Sequence, residues 1–206
     1  MLVCATTALR PLVAAGLYPN YTVCEDPFPD IKTHFEGYDM KLLEKTSLIY
    51  IPSIHPDAIR AWPHRRYRSK VGILDGQGDL LWMGGSVLHT AMDLCIQLGA
   101  STVYLIGADL CYPNNRTHID GASHARDMDM GNWHKRTIDG YGNSVYTDDN
   151  LIQYALFLEK YIEQVKAFCD THKLKMPQFY KLGRGGVPIE GMEWFNADAA
   201  SLADRS

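Results

Sequence analysis

Residues 84–109 carry the pattern that most restricts the fold. Gly84-Gly85-Ser86 precedes apolar residues at Val87, Ala91, Leu94, Cys95 and Leu98, the spacing of one helix face. Gly99 stops that helix, since glycine enters the left-handed cap without steric cost. Thr102-Val103-Tyr104-Leu105-Ile106 then reads as a buried strand, ended by Gly107-Ala108-Asp109. A helix that hands over to a strand apolar on both faces belongs to a parallel sheet, which needs helical cover on each side.

The remaining chain repeats the unit. Leu2–Ala5, Tyr21–Cys24 and Ser47–Ile51 read as strands, and Thr6 or Thr7 is placed to cap a helix carrying Leu9, Leu12 and Val13. Ile54–Lys70, broken by Pro56 and Pro63 and rich in arginine, reads as an irregular surface segment. Cys111–Thr147 is a long polar loop, expected to be mobile without ligand. Asp148 or Asp149 caps a helix bearing Leu151, Tyr154, Leu158, Ile162 and Val165, and Gln178-Phe179-Tyr180 follows as an edge strand. The expectation is one α/β domain over 1–206, with a Rossmann-like, mostly parallel sheet and helices on both faces.

The chain has 206 residues, 46% apolar and 21% charged, and a net charge of −4. That balance gives no long-range attraction to nucleic acid or to an anionic membrane, and neither is expected as a partner. No apolar run is long enough to span a bilayer, and Met1-Leu2-Val3-Cys4-Ala5 lacks the basic flank of a signal peptide. The five cysteines lie outside metal-ligand spacing, and their odd count suits a reducing cytoplasm.

Several residues are candidates for chemistry. Gly84, Gly85 and Ser86 offer helix N-terminal amides to a phosphate, or else cap and pack the helix. Asp26 and Asp109 end strands on the edge where open α/β sheets hold ligands; each is a ligand acceptor or a turn cap. His118, His124 and His134 in the polar loop are candidate bases or solvated side chains. Asp127-Met128-Asp129 matches the Asp-x-Asp pattern that holds a divalent metal on a diphosphate. The Arg60–Arg68 cluster grips an anion or forms a basic surface.

Taken together, Leu81-Trp82-Met83-Gly84-Gly85-Ser86-Val87 through Gly99, then Val103–Leu110, resembles the core of the motility accessory factor (Maf) family, which includes 6-hydroxymethylpterin diphosphokinase MptE. Ala8–Leu12 with Gly16-Leu17-Tyr18-Pro19, Asp26-Pro27, Tyr141-Gly142-Asn143 with Val145-Tyr146-Thr147, and Gly185–Gly191 are similar to further segments in the same order. The resemblance implies a core like that of bacterial sialyltransferases, and transfer of a nonulosonic acid from a CMP-sugar to a hydroxyl acceptor such as flagellin. His118 or His124 would be the base, with Asp109 in the same crevice. Gly84, Gly85, Ser86, Asp26 and Thr6 would meet the nucleotide, with Asp127 and Asp129 as candidate Mg²⁺ ligands. Pyrophosphate transfer from ATP to a pterin, and a non-catalytic nucleotide-binding remnant, are the alternatives.

The chain starts after the strand and Gly-x-Gly-Pro-Ser loop with which the family usually begins, and Thr6 and Asn20 stand where aspartates are common. A parallel sheet without that strand presents an unpaired edge, so self-association into a homo-oligomer near Leu2–Ala5 is expected.

Overall fold

The computed structural model describes residues 1–70, 81–122, 125–131 and 134–195. They group into two compact units, 1–95 with 118–126, and 96–117 with 127–206. The α/β class with parallel sheets is observed.

In the first unit, β1 (Val3–Ala5), β2 (Tyr21–Cys24), β3 (Ser47–Tyr50) and β4 (Arg66–Arg68) lie side by side in chain order, every pair parallel. Alternation along the strands sends Cys4, Cys24 and Leu48 to one face, where they pack with Leu9 and Val13 of α1 (Leu9–Ala14) and Ala58 of α2 (Pro56–Ala61). Val23 and Ile49 point to the other face and meet Leu94, Val87 and Ala91 of α3 (Val87–Gln97). Helices thus cover both faces of this sheet. Trp62, 1% exposed, closes one end of the first cluster; its ring meets Phe35 edge-on at 5.4 Å and its Nε1 donates to the Arg65 carbonyl at 3.0 Å.

In the second unit, β8 (Gln178–Leu182) lies between β5 (Thr102–Ile106) and β9 (Glu193–Phe195), all parallel. The long helix α4 (Asp149–His172) starts where the Asp148 carboxylate accepts from the Leu151 amide at 2.9 Å. It ends at Lys173, which takes a left-handed φ of 56°.

Four local expectations are corrected. Ile54–Lys70 is not irregular: Pro56 opens α2, whose Asp57 amide donates to His55 Nδ1 at 3.3 Å, and the arginines beyond it form β4. Its exposed arginines hid that strand, which among the described residues pairs with β3 alone. Second, 111–147 holds an antiparallel hairpin of β6 (Lys135–Ile138) and β7 (Ser144–Thr147). Third, β8 is central rather than an edge, because the short β9 pairs beside it. Fourth, no threonine caps α1: Thr6–Ala8 is a 3-10 turn without a side-chain cap.

Candidate functional site

The residues before α3 are folded back onto the helix. Trp82 donates its amide to Asp93 Oδ2 at 2.7 Å, and its carbonyl accepts from Thr90 Oγ1 at 3.1 Å. Its ring stands edge-on to His89, which is fully buried, with centroids 5.2 Å apart. This clamp explains the two glycines. A Cβ on Gly84 would lie 2.6 Å from the His89 ring, and Gly85 has a φ of +85°. Ser86 is the helix cap: its Oγ accepts from the Leu88 amide at 3.4 Å, and its own amide donates to His89 Nδ1 at 3.2 Å. Helix capping and close packing, the structural role weighed for Gly84–Ser86, is therefore present.

The parallel strands of the first sheet bring Thr6, Glu25 and Asp26 to one carboxyl edge. Thr6, 5% exposed, hydrogen-bonds through Oγ1 to His34 Nδ1 at 2.9 Å, so it is part of a buried polar pair. Asp26 Oδ1 accepts from the Phe28 amide at 2.9 Å and closes the turn after β2. Its neighbour Glu25 differs. Burial pushes its carboxyl above the ordinary glutamate range, and Thr90 on the first turn of α3 partly offsets this by hydrogen bonding. Its Oε1 is buried and has no hydrogen-bond partner among the described residues. α3 packs by Val87, Ala91 and Leu94 on Val23 and Ile49, and the Thr90–Glu25 interaction sets its first turn toward the end of β2. The adjacent thiols are inert: burial drives Cys4 and Cys24 up to about 12.

Asp109 belongs to the second unit, at the end of β5. It is half-buried, and its carbonyl accepts from the Val187 amide at 2.9 Å. Lys181 on β8 is only 2% exposed, and its ammonium donates to the Val187 carbonyl at 2.5 Å. Val187 is therefore held at both polar groups. The turn before it packs so closely that a Cβ on Gly186 would lie 2.5 Å from Asp109 Cα and 2.7 Å from Lys181 Nζ. Burial lowers Lys181 to about 8 against the favourable fields of Asp109 and Cys111, while burial and Asp109 raise Cys111 to about 11.

The other candidates are dispersed. His118 is exposed and groups with the first unit; His124 lies outside the described residues. Asp127 is exposed in the second unit, 3.4 Å from Arg116 Nε, and Asp129 is exposed nearby in sequence. Among the described residues no three His, Cys, Asp or Glu side chains gather as a metal-binding group. His134 is set edge-on to Tyr112 at 5.5 Å. No helix among the described residues is long and apolar enough to cross a membrane.

Sequence reasoning passed over Glu25 and Lys181. The Asp26-Pro27 turn drew notice away from Glu25. Lys181 carried a readable signal, since strand alternation puts it on the same face as buried Phe179.

A family model described as 6-hydroxymethylpterin diphosphokinase MptE-like matches residues 1–115, more than half of the chain. The solved structure of the MAf glycosyltransferase from Magnetospirillum magneticum AMB-1 matches 94% of this chain with a TM-score of 0.69 and 17% identity. At that identity the likeness is one of fold, and this chain spans 29% of the length of that one. An uncharacterised protein of Treponema pallidum (strain Nichols) is 50% identical over 44 residues, which is 21% of this chain and 11% of that protein.

Proposed function

The chain belongs to the 6-hydroxymethylpterin diphosphokinase MptE-like family, and on that premise we propose that it is a transferase acting on a nucleotide-activated substrate. The nucleotide binds at the carboxyl edge of the four-stranded sheet, with its phosphate at the Gly84–Ser86 end of α3. The observation that supports this reading is the packing of Val87, Ala91 and Leu94 of α3 on Val23 and Ile49 of the sheet, with Thr90 on its first turn interacting with Glu25 at the end of β2, which sets the helix N-terminus toward the edge where parallel sheets bind nucleotides.

The donor proposed is a CMP-activated nonulosonic acid, in keeping with the glycosyltransferase fold of the Magnetospirillum neighbour. The acceptor is a hydroxyl, of flagellin or another partner. His118, grouped with the first unit, is the proposed base. It takes the hydroxyl proton as the oxygen attacks the anomeric carbon and CMP departs, its charge met by helix amides.

The family description favours a second reading, pyrophosphate transfer from ATP to a pterin. Mg²⁺ would then neutralise the nucleotide phosphates. Asp127 and Asp129 are exposed carboxylates that suit such an ion only if Asp127 leaves Arg116.

A thermal-shift panel of CMP, CDP, ATP and GTP, each with and without Mg²⁺, separates the readings. Ligands that bind only the native state raise the Tm by mass action, by about 2.7 kcal/mol of stability at a hundred times Kd. Stabilisation by cytidine nucleotides supports sugar transfer, Mg²⁺-dependent stabilisation by ATP supports the kinase, and no shift with any of them contradicts both.

A further inference from the structure

The turn that leads from β8 toward β9 has its backbone fixed through its carbonyls. Those of Arg184 and Gly186 both accept from the Gly140 amide, at 2.8 and 3.0 Å. The Gly185 carbonyl accepts from Cys111 Sγ at 3.5 Å, and that of Val187 from the Lys181 ammonium at 2.5 Å. Every carbonyl from 184 to 187 is thus turned toward donors inside the second unit. In a planar trans peptide the N–H points opposite to the carbonyl of the same plane. The amides of Gly185 and Gly186 therefore face away from those donors, and neither meets an acceptor among the described residues. The next amide, of Val187, is used within the fold by the Asp109 carbonyl, and Pro188 has none. A Cβ built on Gly185 would meet nothing within 4 Å, so the space beside it is open.

The same turn is positively charged without compensation. Lys181, 2% exposed, can donate three hydrogen bonds and makes one, to Val187, while its ammonium stands 5.2 Å from the Trp194 ring. Arg184 Nε is buried and has no partner among the described residues. No carboxylate among them lies within ion-pairing distance of either cation. Asp109 acts on Lys181 through its field alone, and the oxygens of Asp139 are taken up by Tyr141 and Asn143. Buried donors left unpaired cost about 1–3 kcal/mol each, and adjacent outward amides form a concavity that suits an anion.

We propose that Arg184, Gly185 and Gly186 form an oxyanion site, in which the guanidinium and the two amides hold a carboxylate or phosphate group of a substrate. The buried charge of Lys181 supports it from behind the turn. No helix lies between β8 and β9 among the described residues, so no helix dipole contributes. The inference does not rest on the nucleotide reading of the first sheet.

Amide-resolved NMR during titration with orthophosphate, and separately with acetate, tests it, with ionic strength held constant by sodium chloride. In the wild-type chain the Gly185 and Gly186 amides should shift and saturate with at least one anion. Saturation by orthophosphate alone assigns a phosphate group, by acetate alone a carboxylate, and by both a site open to either. Arg184→Gln keeps much of the side chain and removes its charge. Affinity in that variant should fall about tenfold or more, the worth of a charge-assisted hydrogen bond. Gly185 and Gly186 amides that stay unmoved, or that shift without saturating, with both anions would overturn the site. Undiminished affinity in Arg184→Gln would overturn it too. The wild-type titration needs no variant, so it decides the matter even if Arg184→Gln fails to fold.

Discussion

At the scale of single residues, packing, backbone conformation and buried charge each make a separate demand. Gly84 has no room for a side chain, since His89 occupies the space. Gly84→Ala should therefore lose about 1–3 kcal/mol, read by chemical denaturation, as over-packing does elsewhere. Gly85 has open conformational reasons instead: its positive φ makes a β-branched residue strained, so Gly85→Val should cost stability as well as nucleotide affinity. Lys181 makes a pH-dependent contribution whose sign is fixed by burial. Its folded value of about 8 lies below the ordinary 10.5. Below pH 8 both states hold the proton and the cost of burying charge is fully expressed. Between 8 and 10.5 the unfolded chain binds more protons, so this residue's contribution to stability rises with pH, by on the order of 3 kcal/mol in all. Urea denaturation at pH 7.5 and 10 should show that the wild-type protein gains relative to Lys181→Met over this interval. Parallel pH dependence of the two proteins would contradict the assignment.

At the scale of elements, legibility followed the length of the apolar pattern. β2, β5 and α3 were readable because each buries a sustained face, as Leu94 against Val23 and Ile49 shows. β4 and β9, three residues each, carry too little pattern to stand out, and the arginines of β4 are all exposed. The hairpin β6–β7 was hidden for a different reason: its turn is built by one side chain. Asp139 Oδ1 accepts from the amides of Tyr141 at 2.9 Å and Asn143 at 2.7 Å, and Oδ2 accepts from Asn143 Nδ2 at 3.2 Å. Burial works against the carboxylate, yet the donors of Asn143, Tyr141 and Gly142 outweigh it and hold its pKa below the ordinary value. Hydrogen exchange should find the cross-strand amides of 135–138 and 144–147 protected in the free protein, against the mobility expected of the whole loop. Asp139→Ala should remove that protection while leaving the amides of β5 and β8 slow. Protection unchanged in the variant would show that strand pairing alone holds the hairpin. In the candidate site, the glycines and the serine were legible as punctuation, whereas Glu25 needed the fold, because an orphaned acceptor is a property of packing and not of residue type.

At the scale of the whole molecule, the family and the α/β class follow from residues 1–115 and from the fold shared with the Magnetospirillum glycosyltransferase. Among the described residues β1 pairs only with β2. Self-association through β1 is a proposal, and light scattering at micromolar concentration reads it directly: a dimer supports it and a stable monomer refutes it. The central claim is narrower, that a nucleotide binds where the first parallel sheet ends. Amide-resolved NMR during titration with CMP, and separately with ATP and Mg²⁺, tests it most directly. The account predicts saturable shifts concentrated at Thr6, Glu25 and Ser86–Thr90, with the amino-edge residues Asn20, Ser47 and Arg65 unmoved. Shifts confined to that opposite edge, or none with either nucleotide, would contradict it.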